Sequence, residues 1–81
     1  MIGERVKQAR KESGMSQEEV AKRLGLSKQV IFQLENNKSL TENILGDLLA
    51  ALSYLYQVSY SYLLNGEEKI VIQLQQKMYY P

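Results

Sequence analysis

The stretch that most constrains the fold is residues 16–35, where very few residues separate two short helical segments. Its first letters, SQEE, predict a helix start, because the Ser16 hydroxyl and the Glu19 carboxylate can each bond the other's backbone amide. Gly25 can supply the left-handed residue that ends this helix. Ser27 then suits the N-cap of the next one. So short a connection keeps the two helices from lying antiparallel and is typical of a helix-turn-helix unit.

The spacing of five residues supports this interpretation. Small Ala21 lies where the two helices must cross, four residues after Gln17 and four before Gly25. Ile31 and Leu34 follow as apolar anchors of the second helix. The combination is much more specific than any one member, and the alternative that remains is an unrelated helical hairpin.

The second helix of this unit has two distinct faces. Its apolar residues are Val30, Ile31 and Leu34, and its outward polar residues are Lys28, Gln29 and Gln33. Residues at such spacings share one side of a helix. Glutamine is an ordinary surface residue of helices, so the polar face alone favours a solvated surface over a functional one.

Helical patterns also flank this unit on both sides. Residues 3–13 are predicted to form a first helix that Gly14 ends. A fourth helix begins near Thr41, and a short fifth helix is capped by Ser59 and ended by Gly66. The residues expected to be buried in the last two helices are Ile44, Leu48, Leu49, Leu52, either Leu55 or Tyr56, Tyr62 and Leu63. The sequence therefore predicts an all-α domain of five helices at residues 1–66.

Residues 67–81, EEKIVIQLQQKMYYP, form a C-terminal extension that fits two structures. A helical stripe would contain Ile70, Val71, Leu74 and Met78, whereas an alternating strand would contain Ile70, Ile72 and Leu74. The acidic start and Lys77 near the end favour a helix slightly. Because the apolar residues exceed what a solvated tail needs, we expect this segment to pack on its own domain or on a second subunit as a dimerisation segment.

Composition argues against several classes of function. The chain has no cysteine and no histidine, which removes the commonest metal ligands, the thiolate nucleophile and the usual general base. We therefore expect no enzyme, no metal site and no cofactor. The apolar-rich stretch ILGDLLAALSYLY contains Asp47 and is shorter than the ~20 residues that a membrane span needs. The expected protein is soluble and cytoplasmic, without a membrane partner.

The net charge of +1 conceals an uneven distribution. Residues 1–40 carry eight basic and five acidic side chains, whereas residues 41–81 carry two basic and four acidic ones. This uneven charge distribution fits a basic contact face on one half of the chain and a solvent or partner face on the other.

Taken together, these segments resemble the phage repressor and Cro family of helix-turn-helix transcription regulators, often called the Xre family. The resemblance covers residues 4–66 and is carried by ERVKQARKESGMSQEEVAKRLGLSKQVIFQLENNK and by the closing VSYSYLLNG. It is especially close to the lambdoid phage repressors from Arg5 to Lys38. It implies a compact, lambda-repressor-like DNA-binding domain that is associated with the nucleoid when bound to DNA.

The resemblance also implies which residues read bases. In that family the second helix of the unit lies in the major groove, which makes Lys28, Gln29 and Gln33 the expected base readers. Their chemistry agrees, since glutamine can pair with adenine and lysine can donate to guanine. Phe32 departs from the polar residue common at its position. It is expected either to touch a thymine methyl group or to pack against a neighbouring side chain.

Other residues are implied to contact the DNA backbone or to brace the site. Gln17 is expected to contact a phosphate and to brace the reading glutamine. Further backbone contacts are expected from Ser16, Ser27, Lys11, Asn36 and Lys38, with help from amides at helix starts. Arg10 could also contact a phosphate, but the resemblance favours a partly buried ion pair with Glu35 that ties the first helix to the third.

Two classes of function remain after this comparison. The favoured one is a repressor that binds double-stranded DNA with a palindromic operator as a homodimer, since one short helix reads few base pairs. The other is a protein-interaction module, such as an antitoxin, with a toxin or antirepressor as its partner. The near-zero net charge, Phe32 and the tyrosine-rich SYLYQVSYSY motivate this second interpretation.

Overall fold

The two helices predicted within residues 16–35 are present in the computed structural model, which describes residues 1–38 and 40–67. Five helices lie within these ranges: α1 Ile2–Glu12, α2 Gln17–Leu24, α3 Lys28–Glu35, α4 Glu42–Tyr56 and α5 Tyr60–Asn65. The predicted all-α class is confirmed. The helix or strand predicted within residues 67–81 lies, from residue 68 onward, outside the described residues.

The start and end of α2 follow the chemistry of its terminal residues. The Ser16 hydroxyl accepts from the Glu19 amide at 3.1 Å, and the Ser16 amide donates to the Glu19 carboxylate at 2.9 Å. Gly25 has a left-handed backbone with φ of 69°. The Leu26 amide then donates back to the Ala21 carbonyl oxygen at 2.8 Å, which closes the helix end. Only three residues therefore separate α2 from α3.

The core forms where α1 packs against α3, α4 and α5, while α2 packs on α3 and α4 on α5. Ala21, at the predicted crossing point, is buried. The largest fully buried side chains come from all five helices: Val6, Val20, Ile31, Leu49, Leu52 and Leu63. One continuous apolar cluster thus fixes the orientation of α3 from behind.

Polar contacts link α1 to two of its neighbours, α3 and α5. The Gly3 amide donates to Asn37 Oδ1 at 2.8 Å, just after the end of α3. Arg5 donates from Nε to the Leu63 carbonyl oxygen at 3.2 Å and from Nη2 to that of Leu64 at 2.9 Å. Because the last carbonyl groups of a helix lack partners within it, these bonds satisfy the end of α5.

The longest helix in the described ranges is α4, with 15 residues. The Thr41 hydroxyl accepts from the Ile44 amide at 3.4 Å, and Gln57 ends the helix in a left-handed conformation. None of the helices in residues 1–38 and 40–67 is both long and apolar enough to cross a membrane.

Two residues expected to be buried are not: Tyr62 is half-buried, and Ile44 lies outside the core. Ile44 is 50% exposed, although it was placed in the buried stripe of α4. The stripe contains Leu48, Leu49 and Leu52, and of the two alternatives for its last position it takes Tyr56, while Leu55 is only half-buried. Ile44 instead borders a surface groove, because no described helix covers that side of the first turn of α4.

Candidate nucleic-acid interface

The outward side of α3 carries all four residues that were predicted to read bases. Lys28, Gln29 and Phe32 are exposed, and Gln33 is half-buried. At about 100° per residue, positions 28, 29, 32 and 33 fall within one side of the helix. Ile31 and Leu34 anchor the opposite side in the core. The packing therefore presents one continuous, largely polar surface.

The beginning of α3 differs in one detail from the prediction. Ser27 holds the N-cap position with an extended backbone, but its hydroxyl makes no capping hydrogen bond within the described residues. The Ser27 carbonyl oxygen accepts from the Val30 amide at 3.1 Å. Its exposed side chain therefore does not satisfy the first amides of α3, which keeps them available to an external acceptor.

At its other end, α3 closes with a left-handed asparagine. Asn37 has φ of 56°, and the Lys38 amide donates to the Gln33 carbonyl oxygen at 2.8 Å. Asn36 uses its side-chain amide to donate to the Phe32 carbonyl oxygen at 2.8 Å. The bond from the Lys38 amide, together with one from the Asn37 amide to the Leu34 carbonyl oxygen at 3.1 Å, matches a Schellman motif, in which asparagine can replace glycine. Lys38 and Asn36 are exposed at this end.

An ion pair beneath α3 joins it to α1. Arg10 Nε lies 2.6 Å from Glu35 Oε2, and Arg10 Nη2 lies 3.1 Å from Glu35 Oε1. The guanidinium also donates through Nη1 to the Met15 carbonyl oxygen at 2.9 Å. Arg10 and Glu35 are 9% and 5% exposed. The hydrogen bonds with Glu35 raise the pKa of Arg10 above its ordinary value, although burial opposes this. The Arg10 side chain therefore makes its contacts inside the domain, and the ion pair implied by the resemblance is present.

Gln17 joins this ion pair from the start of α2. Its side-chain nitrogen Nε2 donates to Glu35 Oε1 at 2.9 Å, and the residue is half-buried. The bracing partner that was expected for Gln17 was a reading glutamine, whereas the observed partner is the carboxylate. One amide hydrogen and the side-chain oxygen of Gln17 are not used by this bond. The hydrogen bond to Glu35 consequently fixes the orientation of the side-chain amide of Gln17.

A buried hydroxyl near this pair, that of Tyr56, was not predicted. The hydroxyl of Tyr56 is buried and has no hydrogen-bond partner among the residues that the structure describes. Burial raises the pKa of Tyr56 above its ordinary value, and the charge of Glu35 adds to this, while Arg10 opposes it. Nothing in the apolar spacing of α4 distinguishes this tyrosine from a purely packing residue.

The remaining predicted backbone contacts lie at the surface of α1 and at the start of α2. Lys11 is exposed in the last turn of α1, and Ser16 is exposed at the N-cap of α2. The capping box engages the Glu19 amide and leaves the amides of Gln17 and Glu18 without a partner inside the helix. The hydrogen bond from the Ser16 amide lowers the pKa of Glu19, which stays ionised.

Comparisons with known proteins agree with this architecture. The profile of a family described as helix-turn-helix matches residues 6–63. The HTH-type transcriptional regulator SinR of Bacillus licheniformis is 36% identical over 69 residues, which cover 85% of this chain. The matched region is 60% of SinR, so the chain spans less than two thirds of that relative. No solved structure gives a significant match.

Proposed function

Because the chain belongs to the Xre/Cro-like helix-turn-helix family of DNA-binding transcriptional regulators, we propose that it is a sequence-specific repressor. In this proposal a homodimer binds a palindromic operator, with α3 of each subunit in the major groove. The observation that carries it is the exposed side of α3, where Lys28 and Gln29 lie at the helix start. Recognition helices contact base edges mainly through their first residues.

Each reading residue has a chemical preference. Gln29 has both a donor and an acceptor and is suited to the N6 and N7 atoms of adenine, while Lys28 can donate to guanine O6 or N7. Gln33 lies one turn further along the same side, with Phe32 between them. Because Phe32 is 44% exposed, it can touch a thymine methyl group or pack beside Gln33.

The position of the domain on the DNA would depend on backbone amides and polar side chains around the base-reading residues. The first backbone amides of α2 and of α3, which have no partner within their helices, can donate hydrogen bonds to phosphate oxygens. The exposed side chains proposed to add backbone contacts are Ser16, Lys11, Asn36 and Lys38. Gln17 would reach a phosphate with the amide hydrogen that Glu35 does not use. Glu35 would then set the orientation in which Gln17 meets the DNA or Gln29.

The length of α3 favours a dimer. Its eight residues extend about 12 Å, which is comparable to the width of the major groove and allows only a few base pairs to be read. Useful specificity then requires two subunits with half-sites about one helical turn, or ~34 Å, apart.

The test begins with selection of bound sequences from random duplex DNA, followed by anisotropy titrations of the selected site and of a scrambled duplex. Gln29→Ala should weaken binding to the selected site by ~1–3 kcal/mol and leave binding to the scrambled duplex nearly unchanged. Lys38→Ala is the matched control, because loss of a phosphate contact should weaken both complexes similarly and lower the salt slope by about one. Equal losses on both duplexes for Gln29→Ala would remove it from the base readers.

A second candidate function is a protein-interaction module, such as an antitoxin that binds a toxin or a domain that binds an antirepressor. Two observations favour it, namely the net charge of only +1 and the exposed Phe32 on the same face as the readers. This function predicts no enriched sequence in the selection and a shallow salt dependence of DNA binding. Co-purification of one stoichiometric partner whose binding is lost in Phe32→Ala would support it.

A further inference from the structure

The end of α3 is tied to the start of α1 by a long-range hydrogen bond. The Gly3 amide donates to Asn37 Oδ1 at 2.8 Å, although the two residues are 34 positions apart in the sequence. The first amides of a helix have no partner within it, so this bond satisfies one such amide of α1. The two helix ends also lie close together, because a methyl group on Gly3 would clash with the Glu35 carbonyl oxygen. The positive end of α1 therefore lies beside the negative end of α3.

Asn37 contributes to this junction in two separate ways. Its backbone is left-handed, with φ of 56°, and closes the end of α3. Its side-chain oxygen accepts the hydrogen bond from α1. Glycine could supply the backbone conformation equally well, since it has no Cβ, but it could not accept the hydrogen bond. The two contributions can therefore be separated by substitution.

Lys38 follows directly in the chain and depends on the same junction. Its amide donates to the Gln33 carbonyl oxygen at 2.8 Å, so the left-handed turn at Asn37 sets where the Lys38 side chain begins. Lys38 and Asn37 also line one surface depression together with Met1 and Ile2 of the chain start. An apolar wall of this kind can hold the carbon stem of a lysine while its charged end stays in water. The start of α1 is thus placed to restrict the directions open to the Lys38 side chain.

We propose that Asn37 positions Lys38 for its contact with a DNA phosphate, through the hydrogen bond that ties α3 to Gly3. This inference rests on the proposed DNA-binding function and adds to it a residue that acts without touching the DNA. A lysine that is already restricted loses less side-chain entropy on binding than one that rotates freely, so affinity rises without a new contact. Because a phosphate contact carries no sequence information, the gain is the same on every duplex.

Anisotropy titrations of the full chain with the selected and the scrambled duplex test this positioning role. Asn37→Gly keeps the left-handed turn and removes the hydrogen bond, so it should weaken binding to both duplexes roughly fivefold, the usual effect of one hydrogen bond. In a Lys38→Ala background the same substitution should change affinity less than about twofold, because no lysine is left to position. Gln57→Gly is the matched control, since Gln57 ends α4 with the same backbone conformation and is not a proposed DNA contact. It should leave both affinities unchanged.

Hydrogen exchange of the Lys38 amide tests the structural step without DNA. The protection factor of this amide should fall roughly fivefold in Asn37→Gly, because the bond to α1 no longer holds the turn closed. Asn37→Asp retains a side-chain oxygen as acceptor and should keep the parent protection. The Val58 amide gives the matched control in Gln57→Gly, because it donates in the same way to the Ser53 carbonyl oxygen, at 3.1 Å. Its protection should not fall.

Three results would overturn this inference alone. The first is equal affinity of Asn37→Gly and the parent protein for both duplexes, while Lys38→Ala still weakens binding. The second is a pair of losses that multiply in the double variant, which would place Asn37 itself in contact with the DNA. The third is unchanged protection of the Lys38 amide in Asn37→Gly. Failure of the parent protein to bind any duplex is a different result, because it overturns the proposed function and this inference together.

Discussion

Replacement of Glu35 by glutamine tests how strongly the interior ion pair holds α3. In the folded protein the Glu35 carboxylate accepts two hydrogen bonds from Arg10 and one from Gln17. The Glu35 side chain is 1% exposed and that of Arg10 is 10% exposed. Glu35→Gln preserves the shape of the side chain but leaves the guanidinium charge buried without a counter-charge.

The expected loss follows from the burial of both partners. Removing one member of a well-buried pair costs about 3–5 kcal/mol, because the remaining charge cannot recover its hydration. A domain of 81 residues is expected to have a free energy of unfolding of roughly 4–12 kcal/mol. Glu35→Gln should therefore remove much of the total stability, or unfold the protein outright at 25 °C.

Urea unfolding followed by far-UV circular dichroism measures this directly. With an m-value of about 1 kcal/mol/M, the midpoint should fall by roughly 3–5 M, or no folded baseline should remain. The matched control is the double variant Arg10→Met with Glu35→Leu, which removes both charges and should recover more than half of the loss. Full recovery is not expected, because the Met15 carbonyl oxygen and Gln17 also lose their partners.

A loss of less than about 1 kcal/mol in Glu35→Gln would refute this reasoning, because that is the behaviour of a solvent-exposed pair. A double variant as unstable as the single one would also contradict it. In that case the loss would come from packing and from the hydrogen bonds, and not from the isolated charge.

Two further predictions concern α1 and α4. Gly3→Ala should destabilise the domain by about 1–3 kcal/mol in urea unfolding, because the new methyl group would clash with the Glu35 carbonyl oxygen and lie 2.8 Å from Asn37 Oδ1. Gly46→Ala is its control and should stabilise by up to ~1 kcal/mol, since the nearest atom lies 4.0 Å away; equal effects would contradict the clash. Tyr56→Phe should be neutral or stabilising at pH 7, because it removes a buried hydroxyl without a partner. Since burial raises the pKa of Tyr56, the unfolded chain loses this proton first above pH ~10, and stability should fall by up to ~1.4 kcal/mol per pH unit in the parent but less steeply in Tyr56→Phe. Identical alkaline slopes for the two proteins would exclude Tyr56 as their source.

Helix boundaries were predictable from sequence where glycine or a capping box determines them. Gly14, Gly25 and Gly66 all have positive φ near the helix ends that they were predicted to mark. Asn37 and Gln57 adopt the same conformation without being glycine. Asparagine tolerates this conformation better than most residues, and Asn37 also accepts a hydrogen bond from the Gly3 amide. Nothing in the local sequence marks Gln57 as such a position.

Burial within α4 was harder to predict than its existence. The 3.6-residue period identified Leu48, Leu49 and Leu52, but it also included Ile44 at the edge of the stripe. Whether an edge residue is covered depends on a neighbouring element, which periodicity does not describe. The same limit applied at the other end, where the structure selects Tyr56 over Leu55.

The polar side chains beneath α3 show most clearly why the site could be predicted only in part. The resemblance implied that Gln17 faces DNA, and its position at the start of α2 is compatible with that role. Its hydrogen bond to Glu35 adds a second role, because the same carboxylate holds Arg10 of α1. Any movement of Gln17 toward a phosphate would therefore either use its second amide hydrogen or break a bond to the buried pair. Use of the second amide hydrogen keeps the hydrogen bonds to Glu35 intact. Because Glu35 of α3 then binds both Gln17 of α2 and Arg10 of α1, the angle between α2 and α3 depends on a residue of α1. The proposed reading surface of α3 is thus positioned from inside the core. Substitutions at Arg10, which is buried, should therefore affect the proposed DNA binding as well as stability.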